Sequence, residues 1–258
     1  MLKNSKKLIL VTNDDGFQAN GIKSLTEVAS EFGEVVVVAP EKSQSGMSHS
    51  VSLSSPLFLN KHHSNNGYKI YSCSGTPADC VKIAIHKVLE RKPDLVISGI
   101  NHGSNASVSA IYSGTLAAAR EGSLNGIPSI GFSLLNYSAD ADFTVSAHFA
   151  SIIIQKVFEN GIPEQTCLNV NIPDLELAEI KGIKICRQTR GKWVEEFDQR
   201  HTPSKREYYW LTGQFDNFEP HATDTDEWAL ANNYVAVVPV EVDLTSYHVL
   251  NELKKWNF

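Results

Sequence analysis

The 258-residue chain has no apolar run near the ~20 residues that span a bilayer, and its opening, MLKNSKKLILVTNDD, is apolar only from Leu8 to Val11. That stretch is too short for a signal peptide, so the protein is expected to stay in the cytoplasm and to have no membrane partner. Cysteine is scarce. Cys73, Cys80, Cys167 and Cys186 show neither CxxC spacing nor a dense framework, which reads as reduced, mostly buried thiols and argues against a catalytic cysteine. A basic excess is also missing: 23 Lys and Arg face 29 Asp and Glu, for a net charge of -6. That balance speaks against binding a nucleic-acid polymer, while a small anionic substrate remains compatible with a bound metal that reverses the local field. Neither GxGxxG nor GxxxxGK(S/T) occurs, and there is no internal repeat or low-complexity linker.

What is present is an alternation of aliphatic strands and amphipathic helices. Lys7 to Thr12 reads as a strand, Gly21 to Phe32 as a helix with Ile22, Leu25, Val28, Ala29 and Phe32 on one stripe, and Glu34 to Ala39 as a second strand. The unbroken Val35 to Val38 suits a strand covered on both faces, and strand, helix and strand in this order imply a right-handed parallel crossover. Val51 to Asn60 and Tyr68 to Cys73 read as edge strands around the polar loop His62 to Gly67. Thr76-Pro77-Ala78-Asp79 opens a helix expected to reach about Glu90, followed by the strand Asp94 to Ser98. A helix beginning at Ser113-Gly114-Thr115, a strand from Ile127 to Phe132, a helix from Ala141 to Asn160 and a strand from Cys167 to Asn171 follow. From Gly182 the chain turns charged and aromatic, as extended strands leaving the core would. The expected fold is α/β: a Rossmann-like, mostly parallel sheet flanked by helices, with a C-terminal extended β arm. Residues 1–181 form the core and 182–258 the arm and closing elements of the same single domain.

The pair Asp14-Asp15 follows the first strand inside Thr12-Asn13-Asp14-Asp15-Gly16. Asp and Asn are ordinary turn and capping residues, so these five alone do not establish a site. Two adjacent carboxylates do raise each other's pKa unless a cation lies between them. Two further strands also end in oxygen-rich loops, one with Ser43 and Ser45, the other with Asn101. In a parallel sheet these loops share one carboxyl edge and can converge. Two carboxylates, a hydroxyl and an amide carbonyl suit Mg²⁺ or Mn²⁺, whereas zinc would recruit histidine or cysteine. Ser45-Gly46, Ser74-Gly75-Thr76 and Ser113-Gly114-Thr115 add small hydroxyl and glycine residues, the last two at helix starts where free N–H groups favour a phosphate. His102 adjoins Asn101 and can reach a phosphate or serve as a structural loop histidine. His86 and His148 read as structural, and Arg187, Arg190 and Lys192 as a solvated basic stretch.

TNDDG at 12–16, AP followed by QSG at 39–46, SGTPADCV at 74–81, SGIN at 98–101 and YSGT at 112–115 together resemble the SurE-type nucleotidases, or survival protein E family. RQTRGKW at 187–193, YYW at 208–210 and TDEWAL at 225–230 extend the resemblance over nearly the whole chain. It implies a 5′-nucleotidase acting on nucleoside monophosphates, with 3′-nucleotides and short polyphosphate as further substrates. It also implies one divalent ion on Asp14, Asp15, Ser45 and Asn101, and dimers or tetramers formed through the C-terminal arm. Ser43, Gly46, His102, Ser113, Gly114 and Thr115 are the expected phosphate and substrate contacts. Two departures stand out: Ser107 and Ser109 replace a glycine and an aspartate, and NYVAVVPV at 233–240 replaces GYVSITPL.

The chemistry this implies is phosphate-monoester hydrolysis by a metal-activated water, with Asp14 and Asp15 as catalytic residues and one of them taking the proton. Direct attack by either aspartate is the competing route. The rival readings are a receiver-like signalling domain and a nucleotide-binding module without catalysis. The first needs a phosphoacceptor aspartate where this chain has Ser98-Gly99-Ile100-Asn101; the second is weakened by the missing glycine-rich motifs.

Overall fold

The computed structural model describes residues 6–63 and 66–257, so the tip of the loop expected at His62 to Gly67 lies outside the described residues at 64–65. The chain runs β1 (Lys7–Thr12), α1 (Asn20–Ser30), β2 (Gly33–Pro40), β3 (Leu59–His62), β4 (Lys69–Cys73), α2 (Pro77–Ile83), β5 (Leu95–His102), α3 (Gly114–Leu124), β6 (Ser129–Leu134), α4 (Thr144–Asn160) and β7 (Thr166–Ile172). It continues through β8 (Ile183–Ile185), β9 (Gly191–Val194), β10 (Phe197–His201), β11 (Glu207–Leu211), β12 (Gln214–Asn217), α5 (Asp226–Ala231), β13 (Val235–Glu241) and α6 (Tyr247–Leu253).

Among the described residues, nine strands form one sheet in the order β3-β4-β2-β1-β5-β6-β7-β13-β8. From β4 to β7 all neighbours are parallel; β3 and β13 pair antiparallel with β4 and β7. The strands are apolar at successive positions because both faces are covered. Ile9, Val11, Val35 and Val37 point to one face and pack with residues of α1 and α4. Leu8, Leu10, Val36 and Val38 point to the other, against Cys80 and Val81 of α2 and Ala118 of α3. Burying an aliphatic side chain of this size is worth roughly 1.5–3 kcal/mol, so a polar substitution at a position such as Leu10 would break this layer first.

Three local expectations are corrected. The strand predicted over Val51 to Asn60 is confined to Leu59–His62; Pro56 lacks an N–H, three serines interrupt the run, and Leu53 is 91% exposed. The helix expected to reach Glu90 is α-helical only to Ile83, and Ala84–Val88 forms a wider π turn that ends with the Leu89 N–H on the Ala84 carbonyl. The strand predicted to end at Ser98 runs on to His102. Gly99, at φ +128°, takes up a register shift between Ser98 and Asn101 against β6, so the strand resumes instead of turning. After Gly182, β8 joins the main sheet beside β13, and β9 to β12 form two antiparallel ribbons, β9 with β12 and β10 with β11.

Candidate active site

The sheet grows outward from β1 to β2 and β4 on one side and from β5 to β6 and β7 on the other, so β1 and β5 flank a topological switch point. Ligands of open α/β sheets bind beyond the strands' carboxyl ends at such a point. Here that edge carries Asp14 and Asp15 after β1 and Asn101 at the end of β5. The turn holding the acidic pair is closed reciprocally: Asn13 Nδ2 donates to the Gly16 carbonyl (2.9 Å), and the Gly16 N–H donates to Asn13 Oδ1 (3.2 Å).

Asp14 is 3% exposed and accepts a hydrogen bond from the Thr115 hydroxyl. Gly114 lets the start of α3 come this close, since a Cβ there would lie 2.8 Å from Asp14 Cβ. Burial pushes the Asp14 carboxyl up to about 6, with the Thr115 hydroxyl opposing and the Asp15 charge adding to the rise. Asp15 is half-buried, and its carboxyl is also raised by burial, against the pull of the His102 N–H, which donates to its Oδ2 at 3.3 Å. The Asp14 carbonyl accepts from the Gln44 N–H (2.7 Å), which ties the loop carrying Ser43 and Ser45 to the same edge. The hydroxyls of Ser43 and Ser45 are 3.0 Å apart.

Asn101 is buried, and its Nδ2 donates to the Gly103 carbonyl at 2.9 Å. That bond commits the amide nitrogen and leaves Oδ1 without a hydrogen bond among the described residues, the atom a hard cation would use. The donor set is therefore two carboxylates whose ionised forms burial disfavours, plus neutral oxygens. This fits Mg²⁺ or Mn²⁺ and the charge such an ion would restore. Among the described residues no group of three or more His, Cys, Asp and Glu is arranged for a metal, so a zinc-type cluster has no counterpart elsewhere. All four cysteines are buried and free.

Asp14, Ser45 and Asn101 open onto a cleft of about 860 Å³, while Asp15 adjoins Asp14 without lining it. Asp14, Ser45, Gly46, Asn101, His102 and Ser113 line it on the core side, and Trp193, Glu196, Leu211, Thr212 and Gly213 of the arm line it opposite. Ser43 stands behind Ser45, and Gly114 and Thr115 sit behind Asp14, where the Thr115 hydroxyl is already engaged. Ser113 caps α3 by accepting from the Leu116 N–H (3.0 Å). The His102 ring meets Phe143 edge-on, and its Nδ1 is buried without a partner among the described residues. Ser74-Gly75-Thr76 does not reach the cleft. Its threonine forms a capping box with Asp79 and donates to the Ser50 carbonyl, so only the second of the two SGT motifs borders the site. A second groove, of about 790 Å³, runs beside β8 and is lined mainly by apolar residues such as Ile153, Val157, Leu168 and Ile183, with no converging oxygen ligands.

Several supporting residues escape sequence reading. The Asn105 N–H donates to Asn171 Oδ1 (2.8 Å), Asn105 Nδ2 to Ser133 (2.8 Å), and Asn169 Nδ2 to the Asn105 carbonyl (2.9 Å). These bonds anchor the loop after Asn101 to β6 and β7. The signal was there as two asparagines at alternate positions of the otherwise buried strand LNVNI. Asp226, fully buried, accepts from the Ser107 N–H (2.7 Å) and the Thr189 N–H (2.9 Å), and Ser107 Oγ donates to the Thr189 carbonyl. Ser107 thus joins the loop to the arm's base; Ser109 lines the cleft.

Fold and site together define a doubly wound α/β protein whose cleft lies at the switch point and is lined by oxygen-bearing side chains. The family model described as Survival protein SurE matches residues 9–195. A 5′-nucleotidase SurE of Christiangramia forsetii is 55% identical over 99% of both chains, and one of Flavobacterium psychrophilum is 52% identical over 98% of both. The crystal structure of the SurE protein from Aquifex aeolicus superposes with a TM-score of 0.82 at 41% identity, covering 96% of this chain and 98% of that one. The chain belongs to the survival protein SurE family.

Proposed function

We propose that the chain is a 5′-nucleotidase that hydrolyses nucleoside 5′-monophosphates with one Mg²⁺ or Mn²⁺ held by Asp14, Asp15, Ser45 and Asn101, and that it also accepts 3′-nucleotides and short polyphosphate. The nucleotidase class rests on full-length relatives that bear that name. The observation that carries the assignment to these residues is the buried Asp14 in the same cleft as an Asn101 amide whose nitrogen is engaged and whose oxygen is not. When bound, the ion supplies positive charge against the phosphoryl oxygens and makes water a better nucleophile at neutral pH.

The chain's own groups do the rest. Thr115 and the start of α3 hold the Asp14 carboxylate in one orientation, and the His102 N–H holds that of Asp15. One of the two aspartates takes the proton from the attacking water. Gly46 and Ser113 border the phosphate's place with small groups, and the half-buried His102 faces it from β5. A cleft of about 860 Å³ lies within the roughly 300–1,000 Å³ range typical of small-molecule sites.

The arm is assigned to a homodimer or homotetramer interface, because Phe197, Tyr209, Trp210 and Leu211 stand exposed on its ribbons. Among the described residues no helix is long and apolar enough to cross a membrane, and the acidic composition fits a cytoplasmic enzyme without nucleic-acid partners.

Phosphate release from a panel of nucleotides, with EDTA and metal add-back, tests the assignment. Metal-dependent release supports it; binding without turnover in every metal would leave a nucleotide-binding module. The stereochemical course at phosphorus separates the routes: inversion with a chiral, oxygen-isotope-labelled phosphorothioate substrate marks a single in-line attack by water, and retention marks two displacements through an aspartyl-phosphate.

A further inference from the structure

The residues lining the cleft are of two chemical kinds: the oxygen ligands, and a group made of Tyr137 from the core with Trp193, Glu196 and Leu211 from the arm. Tyr137 is 78% exposed, and its ring lies over Gly103, where a Cβ would lie 2.2 Å from Cε1. Gly103 is also the residue whose carbonyl fixes the Asn101 amide, so the ring is built onto the same short segment as the cation ligand. On the arm, the Trp193 ring is braced by Phe215, edge-on at 6.1 Å. A braced tryptophan and a solvent-facing tyrosine lining the same cleft provide two aromatic surfaces for a flat heterocycle, and each stacked base is worth roughly 1–3 kcal/mol when such rings are removed in other proteins.

Glu196 is the only carboxylate on this wall among the described lining residues; its backbone carbonyl accepts from the Thr212 N–H (2.8 Å), while its exposed carboxylate has no hydrogen bond or ion pair to any described residue. A free carboxylate offers two parallel acceptors. Guanine presents two parallel donors, N1–H and the N2 amine, on one edge; hypoxanthine has only N1–H, adenine a single amine and uracil a single ring N–H. The bidentate match is therefore specific to guanine.

We propose that this part of the cleft is a nucleobase slot, stacked by Tyr137 and Trp193, in which the Glu196 carboxylate selects guanine nucleotides. The proposal rests on the nucleotidase reading and names its preferred substrate class. The rings set affinity for any base; Glu196 sets the ranking among bases.

The test is steady-state kinetics of the metal-loaded full-length enzyme on GMP, IMP, AMP, UMP and ribose 5-phosphate, for the wild type and for Glu196→Gln, Tyr137→Ala and Trp193→Ala. Wild type should favour GMP over IMP in kcat/KM by about tenfold, the factor one charge-assisted hydrogen bond supplies. Glu196→Gln keeps one acceptor and turns the other into a donor, so the GMP-to-IMP ratio should fall to near one. Tyr137→Ala and Trp193→Ala should raise KM for every nucleotide relative to ribose 5-phosphate by about tenfold, with Tyr137→Phe and Trp193→Phe restoring it. A GMP-to-IMP ratio unchanged by Glu196→Gln, or nucleotide KM values that track ribose 5-phosphate in both alanine variants, would overturn the slot. Failure of the metal-loaded wild type to cleave any nucleotide would instead overturn the nucleotidase reading beneath it.

Discussion

On the core wall of the cleft Asp14 is 3% exposed and held by Thr115, Gly114 and the 43–46 loop, whereas on the arm wall Trp193 and Glu196 stand on narrow ribbons where Leu211 is 72% exposed. The core wall inherits its geometry from parallel strands packed on both faces. The arm wall is tied down by fewer contacts, chiefly the buried Asp226 and the Arg187 guanidinium between Glu219 and Asp224. A cation site tolerates little displacement of its oxygens, so it belongs on the rigid wall. Base recognition tolerates more, and the exposed wall can carry it.

Changing the core wall should have the largest effect. Asp15→Asn, and likewise Asp14→Asn, should lower kcat/KM by about a thousandfold or more while the circular dichroism spectrum is unchanged, because each removes charge from the proposed cation site. Near-wild-type turnover of both at saturating metal would detach the acidic pair from the chemistry. Next comes removal of the other wall. Replacing Lys192 to Phe215 with a short Gly/Ser bridge should lower the particle mass in light scattering and leave the main sheet folded. A mass per particle unchanged apart from the missing residues would show that the arm is not the interface.

The third test sharpens the cost of rigidity. In metal-free protein the Asp14 carboxyl lies at about 6 against an ordinary 3.8, chiefly through burial. Between those values the folded chain binds more protons than the unfolded one, so stability should fall as pH rises through this window. Above it the deficit is fully present, at about 3 kcal/mol. Asp14→Asn should therefore melt above the wild type at pH 7.5 in chelator and lose that advantage near pH 4; equal melting temperatures at both pH values would contradict the assigned cause. The smallest change is expected from Ser45→Ala and Asn101→Ala. Each should weaken metal affinity by about 10- to 100-fold in titration calorimetry, with turnover recovered at excess metal. Loss that metal cannot restore would give those side chains a direct role in the chemistry.

Most of the central sheet was legible because strands covered on both faces read as unbroken aliphatic runs, such as Val35 to Val38, and their helices as three-four stripes. The acidic pair was legible because carboxylates end one of those runs. Where reading failed, the deciding interaction was not local. Gly99 bends β5 and lets it resume through Asn101 and His102, which depends on β6. Val51 has the look of a strand, but among the described residues no strand pairs with it. Ser74-Gly75-Thr76 and Ser113-Gly114-Thr115 are the same three letters, and only their distance from β1's carboxyl end separates a plain cap from a residue beside Asp14. Glu196 carries no sequence signal, since a lone exposed glutamate becomes part of a wall only once β9 to β12 have folded back.

Strand β13 lies between β7 and β8, antiparallel to the first and parallel to the second. Because the chain is made from its N-terminus at about 5–20 residues per second, Ile172 emerges seconds before Val235. During that interval the growing sheet has a bare apolar edge at β7, and β8 has no partner in the sheet at all. The ribosome thus exposes the strand pattern most prone to pairing with another chain, and a nascent protein stalled before β13 would be the species most dependent on chaperones.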